Sequence, residues 1–237
     1  MSHDRGDARD WLGQARVDDA VRALRPDYTA LLIVAEGLCP GPSDDSTDIL
    51  LREAEDRARV LLAGREPAEL PQVADWRAAY QAFGAKPSRT RPSVEALLRR
   101  LDAGLPRIDR ITDVYNAISV RHLVPAGGED ADRYEGPIRL VRASGDEPFD
   151  TVREGQPEIA HPAAGEVVWR DDKGVTCRCW NWRQCTRTRV THATMRAIFV
   201  LDGLAALGNA GLQAAGDDLM ATLAALHPGA QFAARLL

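Results

Sequence analysis

The chain has 237 residues, 45% of them hydrophobic, which suits one large domain or two small ones able to bury a sizeable core. Its formal net charge of −5 excludes a protein that coats nucleic acid indiscriminately. The longest purely apolar run, residues 30–35, is far too short for a membrane span, and the charged start MSHDRGDARDW lacks the apolar core of a signal peptide, so a cytoplasmic protein without a membrane partner is expected.

Residues 1–15 are polar and aperiodic, so a flexible tail is expected there, with a single domain over 16–237. Residues 28–34 form an apolar run between Pro26 and Gly37 that predicts a buried strand. The turn-rich CPGPSDDSTD loop then supplies N-caps for a helix marked by Leu50, Ala54, Ala58 and Leu61 and stopped by Gly64. Pro71 opens a helix whose Val73, Trp76, Tyr80 and Phe83 line one face as far as Gly84. Ser93 is the expected cap of the next helix, which turns Val94, Leu97, Leu98 and Leu101 inward and stops at Gly104. Between residues 84 and 110, seven basic residues stand against three acidic ones, so this stretch carries +4 and leaves −9 on the rest. A solvated helix face accounts for that pattern, and so does a seat for an RNA backbone built from Lys86, Arg89, Arg91, Arg99 and Arg100.

The stretch ITDVYNAISVRHLVPAGGED, residues 111–130, predicts a helix with Ile111, Val114, Tyr115 and Ile118 on a core-facing stripe. Beside the stripe, Asp113, Asn116, Ser119 and His122 are each three apart and form an oblique polar ridge. The ridge is either a solvated flank or one wall of a binding site. Gly127 and Gly128 would let the chain approach a ligand closely, with Glu129 and Asp130 available to its hydroxyls. Strands are expected at 138–142, 166–170 and 175–180, the last two joined by DDKG, with GQPEIAHPAAG (155–165) as a long loop. Residues 196–201 fit a strand or a helix, and Asp217 and Asp218 open a last helix carrying Leu219, Leu223 and Leu226.

A second candidate wall is CRCWNWRQC, where a strand would place Cys177 and Cys179 on one face and present Asn181, Trp182, Arg183 and Gln184 at its end. A plain turn more often holds Gly, Pro, Asp or Ser. Packing by Trp180 and Trp182, with the polar residues satisfying backbone groups, is the alternative. Cys177, Cys179, Cys185 and His192 offer four soft ligands, but their spacing is unlike that of common zinc sites, so no metal and no cofactor are expected. There is no GxSxG, no phosphate-binding glycine loop and no HExxH.

Four blocks occur in order: FGAKPSRTRPSVEALLRRL (83–101), LPRI (105–108), VYNAISVRHLVPAGGED (114–130), and GEVVW with CRCWNWRQC (165–185). Together they resemble the free-standing form of the B3/B4 domain, the editing module of the bacterial phenylalanyl-tRNA synthetase beta subunit. The resemblance runs from about residue 17 to 227. It implies an α+β fold of three layers, with a β-sandwich of unusual topology flanked by helices and with residues 196–201 as a strand. It also implies tRNA as partner and hydrolysis of mischarged tyrosyl-tRNA. A phenylalanine site cannot strongly reject a ligand that only adds a hydroxyl, whereas a second site built to hydrogen-bond that hydroxyl discriminates well. The ester is already activated, so an ordered water and donors aimed at the developing oxyanion suffice without a nucleophile motif.

The chain is too short to carry the synthetase's catalytic and anticodon-binding modules, so a complete ligase is not expected. The acid that reads the tyrosine hydroxyl has no assigned position here. Two readings follow, a trans-acting aminoacyl-tRNA hydrolase and a non-catalytic module that binds tRNA, an amino acid or a nucleotide. Under the first, both walls meet in one pocket. His122, Asn116 and Asn181 are then the catalytic groups, and Ser119, Gly127, Gly128, Glu129, Asp130, Trp182, Arg183 and Gln184 hold the substrate.

Overall fold

A computed structural model describes residues 7–237. The chain begins with α1 (Ala8–Gly13), β1 (Arg16–Val17), α2 (Asp19–Leu24) and β2 (Thr29–Glu36). Four helices follow: α3 (Asp45–Leu62), α4 (Pro71–Ala82), α5 (Ser93–Leu98) and α6 (Arg110–His122). Then come the strands β3 (Ala126–Asp130), β4 (Arg139–Arg142), β5 (Phe149–Arg153), β6 (Gln156–Ala160), β7 (Val167–Arg170), β8 (Val175–Arg178), β9 (Arg183–Gln184) and β10 (Arg196–Gly203). Helix α7 (Gly208–Leu226) and β11 (Gln231–Leu236) close the chain. No helix among the described residues is long and apolar enough to cross a membrane.

The fold is α+β with three layers. A four-stranded sheet in the order β11-β2-β10-β3 lies in the middle, and a five-stranded sheet in the order β1-β4-β7-β8-β9 packs against one of its faces. Strand β2 explains why the middle sheet reads as a continuous apolar run. Its Ala30, Leu32 and Val34 join Leu140, Val167 and Trp169 in the core between the sheets. Its Leu31, Ile33 and Ala35 join Ile111, Ile118, Leu219 and Leu223 beneath α6 and α7. Alternation along one strand thus feeds two cores, and a strand covered on both faces has no polar side to show. A third cluster, with Leu51, Val73, Val94 and Val120, binds α3, α4 and α5 to the outer side of α6.

Several expectations are corrected by this packing. From Asp7 onward the supposed tail is ordered, because α1 buries Leu12 in the inter-sheet core and Asp7 caps it by accepting from the Arg9 N–H at 2.9 Å. The first six positions of that expectation lie outside the described residues. The GQPEIAHPAAG stretch is not a loop throughout, since residues 156–160 pair antiparallel with 149–153 as a separate hairpin. Ser93 is not the cap of α5, whose N-cap is Pro92. Helix α5 itself ends at Leu98, and α7 begins at Gly208, nine residues before the acidic pair expected to open it.

The glycine corner at 126–130 is also a strand, β3, paired with β10 from Ala197↔Asp130 to Leu201↔Ala126. Its glycines serve packing. A Cβ on Gly128 would lie 2.8 Å from Tyr115 Cε1 and 3.0 Å from Phe199 Cε1, so only glycine lets α6 seat its tyrosine on the sheet. Gly128→Ala is therefore expected to destabilise the protein by about 1–3 kcal/mol through overpacking. Chemical denaturation would measure this, and a midpoint equal to that of the wild type would refute the packing role.

Candidate functional site

Helix α6 is buried from Ile111 to Val120, so its polar ridge is no solvated flank. Its four members nonetheless go to four different tasks. Asp113 accepts from the Ile108 N–H at 2.8 Å and shapes the entry to the helix. Ser119 donates to the Val124 carbonyl at 2.6 Å, closing the helix where Leu123 turns left-handed. His122 Nε2 lies 2.7 Å from Asp218, which also takes Arg121 at 2.9 Å, so the histidine ties α6 to α7 on the far side of the helix layer. Asn116 alone is left without a hydrogen bond to any described residue, although it is only 7% exposed.

Asn116 faces a cavity of about 250 Å³ between α5, α6, β3 and the ends of the two sheets. The opposite wall is built by a strained turn. Strand β8 stops at Arg178 because Cys179 and Trp180 both take left-handed backbone angles, φ 45° and 68°. Each such residue costs about 1–3 kcal/mol unless its surroundings enforce it. Here Glu166 takes the Cys179 N–H at 2.9 Å, and Asn181 N–H closes a three-residue turn on the Cys179 carbonyl at 2.8 Å. The Trp180 ring is wedged edge-on against Tyr28 and Trp76, with centroids 5.0 and 5.3 Å away. Cys177 and Cys179 therefore do not share a strand face as expected. Among the described residues no cluster of His, Cys, Asp or Glu is arranged to hold a metal, and burial pushes the Cys177 and Cys185 thiols up.

The turn delivers Asn181, Trp182, Arg183 and Gln184 to the cavity wall, where they meet Asn116, Gly127, Glu129 and Arg100. Two of these amides are already committed. Gln184 donates to the Gly128 carbonyl at 3.0 Å, and a Cβ on Gly127 would lie 2.9 Å from that same amide nitrogen. Asn181 accepts from the Tyr80 hydroxyl at 2.9 Å and donates to Asp202 at 3.2 Å. Gly127 thus makes room for a glutamine at the cavity wall. Gly128 and Asp130 do not line the cavity at all, since Gly128 is capped by Tyr115 and Asp130 takes the Thr194 hydroxyl at 2.8 Å. Ser119 and His122 are outside it too.

Two buried carboxyls line the cavity, and only Glu129 was expected there. Asp202 accepts from the Tyr28 hydroxyl at 2.6 Å and from Asn181, yet burial holds its pKa at about 7. Glu129 accepts from the Thr188 hydroxyl and is likewise raised by burial to about 7. Asp202 left a trace in the sequence, as an acid at the end of the apolar strand AIFVLDG. Four donors in the lining also lack a well-formed hydrogen bond: the Asn116 amide, the Ser93 hydroxyl and the indole N–H groups of Trp169 and Trp180. The two indoles lean towards Asp202 and Tyr28 without completing a bond to either. Native interiors leave few such groups unpaired, so the lining holds donors that its own residues do not use.

The basic island is partly neutralised. Arg99 pairs with Glu95 at 2.9 Å and with Glu66 at 3.3 Å, and Arg91 stands 4.0 Å from the same buried Glu95. Lys86, Arg89 and Arg100 are exposed and form no ion pair with a described residue, and Arg100 reaches the cavity.

The carboxyl shifts have a consequence for stability. Asp202 and Glu129 have ordinary values of 3.8 and 4.5 and rise to about 7, so between about pH 4 and 7 the folded chain holds more protons than the unfolded one. Their contribution is full below the ordinary values and is lost as pH rises through about 7. Asp202→Asn is expected to flatten the fall in melting temperature between pH 5 and 8, as thermal unfolding at several pH values would record. An unchanged slope would show that Asp202 does not titrate there.

Comparison with known proteins completes the picture. The B3/4 domain family matches residues 75–210. Among solved structures, the chain is similar to an N-terminal fragment of the phenylalanyl-tRNA synthetase beta subunit from Pyrococcus horikoshii, with 15% identity and a TM-score of 0.49. That match covers 92% of this chain and 50% of the fragment, so the chain spans half the length of the structure it matches. None of the curated proteins matches. With more than half of its residues matched, from the middle of α4 to the start of α7, the chain belongs to the B3/4 domain family.

Proposed function

We propose that the chain hydrolyses the ester of a mischarged aminoacyl-tRNA, with the amino acid held in the cavity between the sheets. The observation that carries this reading is the joint presence, in one enclosure of about 250 Å³, of unsatisfied donors and a buried carboxyl that titrates near neutral pH. The Asn116 amide is free to donate to the ester carbonyl and to strengthen that bond as the oxygen gains charge. Asp202 has both oxygens engaged by Tyr28 and Asn181, whereas Glu129, held by the Thr188 and Tyr134 hydroxyls, lies on the β3 side of the cavity with Asn116, and it is assigned to take the proton of an attacking water. The water oxygen bonds to the carbonyl carbon and the bond to the ribose oxygen breaks. The proton held by Glu129 passes to that leaving oxygen, giving free amino acid and uncharged tRNA. A base whose pKa is about 7 suits this task at neutral pH. Tryptophans 169 and 180 supply apolar walls that exclude bulk water.

His122, expected among the catalytic groups, is held by Asp218 away from the cavity, so the base is placed on Glu129. Incubating the protein with a panel of charged tRNAs and following amino-acid release tests the reading. Glu129→Gln is expected to slow release by roughly 100-fold or more while binding persists. Asn116→Ala is expected to slow it by about 10-fold or more, and His122→Ala to leave it near the wild-type rate. Binding of charged tRNA without release of any amino acid would instead establish a non-catalytic module.

The tRNA backbone is assigned to the unpaired cations of the island. Replacing Arg89 and Arg100 with Ala is expected to weaken all tRNAs alike and to lower the salt slope by about one for each phosphate no longer neutralised. Binding and slope equal to those of the wild type, measured by filter binding over a salt series, would retire this interface.

A further inference from the structure

A strand at the edge of a sheet presents unpaired N–H and C=O groups, and native folds shorten, cover or charge such edges. The other edges of this chain are treated in that way. In the five-stranded sheet the edge strands β1 and β9 are only two residues long each. In the four-stranded sheet β3 is covered, because the Asp130 N–H donates to the Thr188 carbonyl at 2.7 Å and Glu129 bridges to Arg189. In the hairpin, β6 carries Pro157 and Glu158, and the Asp150 carbonyl of β5 takes the Thr186 N–H at 2.9 Å.

Strand β11 has none of these protections among the described residues. Its residues 231–236 pair antiparallel with 31–36 of β2 in one unbroken register, and no strand flanks its other side. It contains neither proline nor lysine. Its one charge, Arg235, is drawn beneath the sheet, where it donates to the carbonyls of Leu12 and Ala15, the latter at 3.0 Å. Leu237 and Ala30 exchange both backbone hydrogen bonds, at 2.9 and 3.3 Å. Alternation from that pair turns the N–H and C=O groups of Phe232, Ala234 and Leu236 outward. The same three side chains share the face that carries α7, with Phe232 half-buried, Ala234 exposed and Leu236 47% exposed.

We propose that β11 pairs antiparallel with β11 of a second copy of this chain, about a two-fold axis at Ala234, joining the two four-stranded sheets into one. In this register every outward group meets an outward group, so each facing pair exchanges two hydrogen bonds. Ala234 faces Ala234 of the second copy, and Phe232 faces Leu236 in both directions, an aromatic against an aliphatic side chain. On the other face Arg235 stands opposite Ala233, so no like charges are opposed. The strand is thus complementary to itself in hydrogen bonding, shape and charge, which is what an isologous interface demands. One strand pair buries little area, so the dimer belongs to the weak, concentration-dependent class. No residue of β11 lines the cavity, which stays open in both copies.

Sedimentation of the full chain from micromolar to millimolar concentration tests the pairing, and a monomer–dimer equilibrium is expected. Ala234→Pro removes an outward N–H without touching the bonds to β2, and Leu236→Lys places a charge on the edge; each is expected to weaken the dimer by roughly tenfold or more with an unchanged thermal midpoint. Val60→Lys, on an exposed face of α3, is expected to leave it intact. Facing residues of such a pair have Cα atoms about 5.5 Å apart, within disulfide reach. In a Cys39→Ser background, Ala234→Cys is therefore expected to give a covalent dimer on mild oxidation, and Val60→Cys to give none. A monomer at every concentration overturns the proposal, as does a dimer that both Leu236→Lys and Ala234→Pro leave at wild-type strength, or the failure of Ala234→Cys to cross-link. An extended segment of another protein that binds β11 while the chain alone stays monomeric counts against the second copy as occupant.

Discussion

The Asp202 carboxyl joins elements that the chain separates by up to 174 residues. Tyr28, just before β2, donates to one of its oxygens, and Asn181, in the turn after β8, donates to the other. Tyr80 of α4 then donates to Asn181, so one chain of hydrogen bonds runs through both sheets and the helix layer beside them. Inside a protein each of these bonds is strengthened by the low dielectric, and removal of one partner leaves another buried and unpaired at about 1–3 kcal/mol. The cavity exists because this chain holds its far wall in place.

That wall is costly to build. Two consecutive non-glycine residues in left-handed conformation would relax into a simple strand end if Trp180 were not locked in its aromatic nest and Cys179 were not anchored on Glu166. The result is that four consecutive side chains with unusual chemistry, Asn181 to Gln184, all reach the cavity lining, the last two as strand β9 paired with β8. Backbone strain and the chemistry of the wall are thus coupled through one short turn.

The electrostatics of the site follow from its depth. Glu129 and Asp202 are 3% and 2% exposed, and neither has a basic residue within ion-pair distance. Burial therefore sets their proton affinity and brings both to about 7. The cations instead stand at the rim, on Arg100 and Arg183, where water and phosphate can reach them. Separation of carboxyls within from guanidiniums at the mouth gives the cavity an electrostatic polarity along its depth.

Local pattern alone determined a good deal. The apolar run of β2, the proline start of α4, the stripe of α6 and the DDKG hairpin depend on nearest neighbours and periodicity, and the four ordered blocks carried the family. Tertiary structure decided the remainder. The three-residue spacing of Asn116, Ser119 and His122 was legible, but which of them meets a ligand depends on what lies beyond the helix surface, and α7 claims His122 through Asp218. Gly127 and Gly128 read as a corner because their backbone freedom is visible in sequence, whereas the tyrosine and glutamine that require their missing Cβ atoms come from elsewhere in the chain. The β5–β6 hairpin hid behind a proline and glutamates because it lies outside both main sheets and buries little, so its strands carry no strong alternation. Asp202 acquired its meaning only from Tyr28 and Asn181, since a carboxyl's proton affinity is a property of its surroundings and not of its neighbours in the chain.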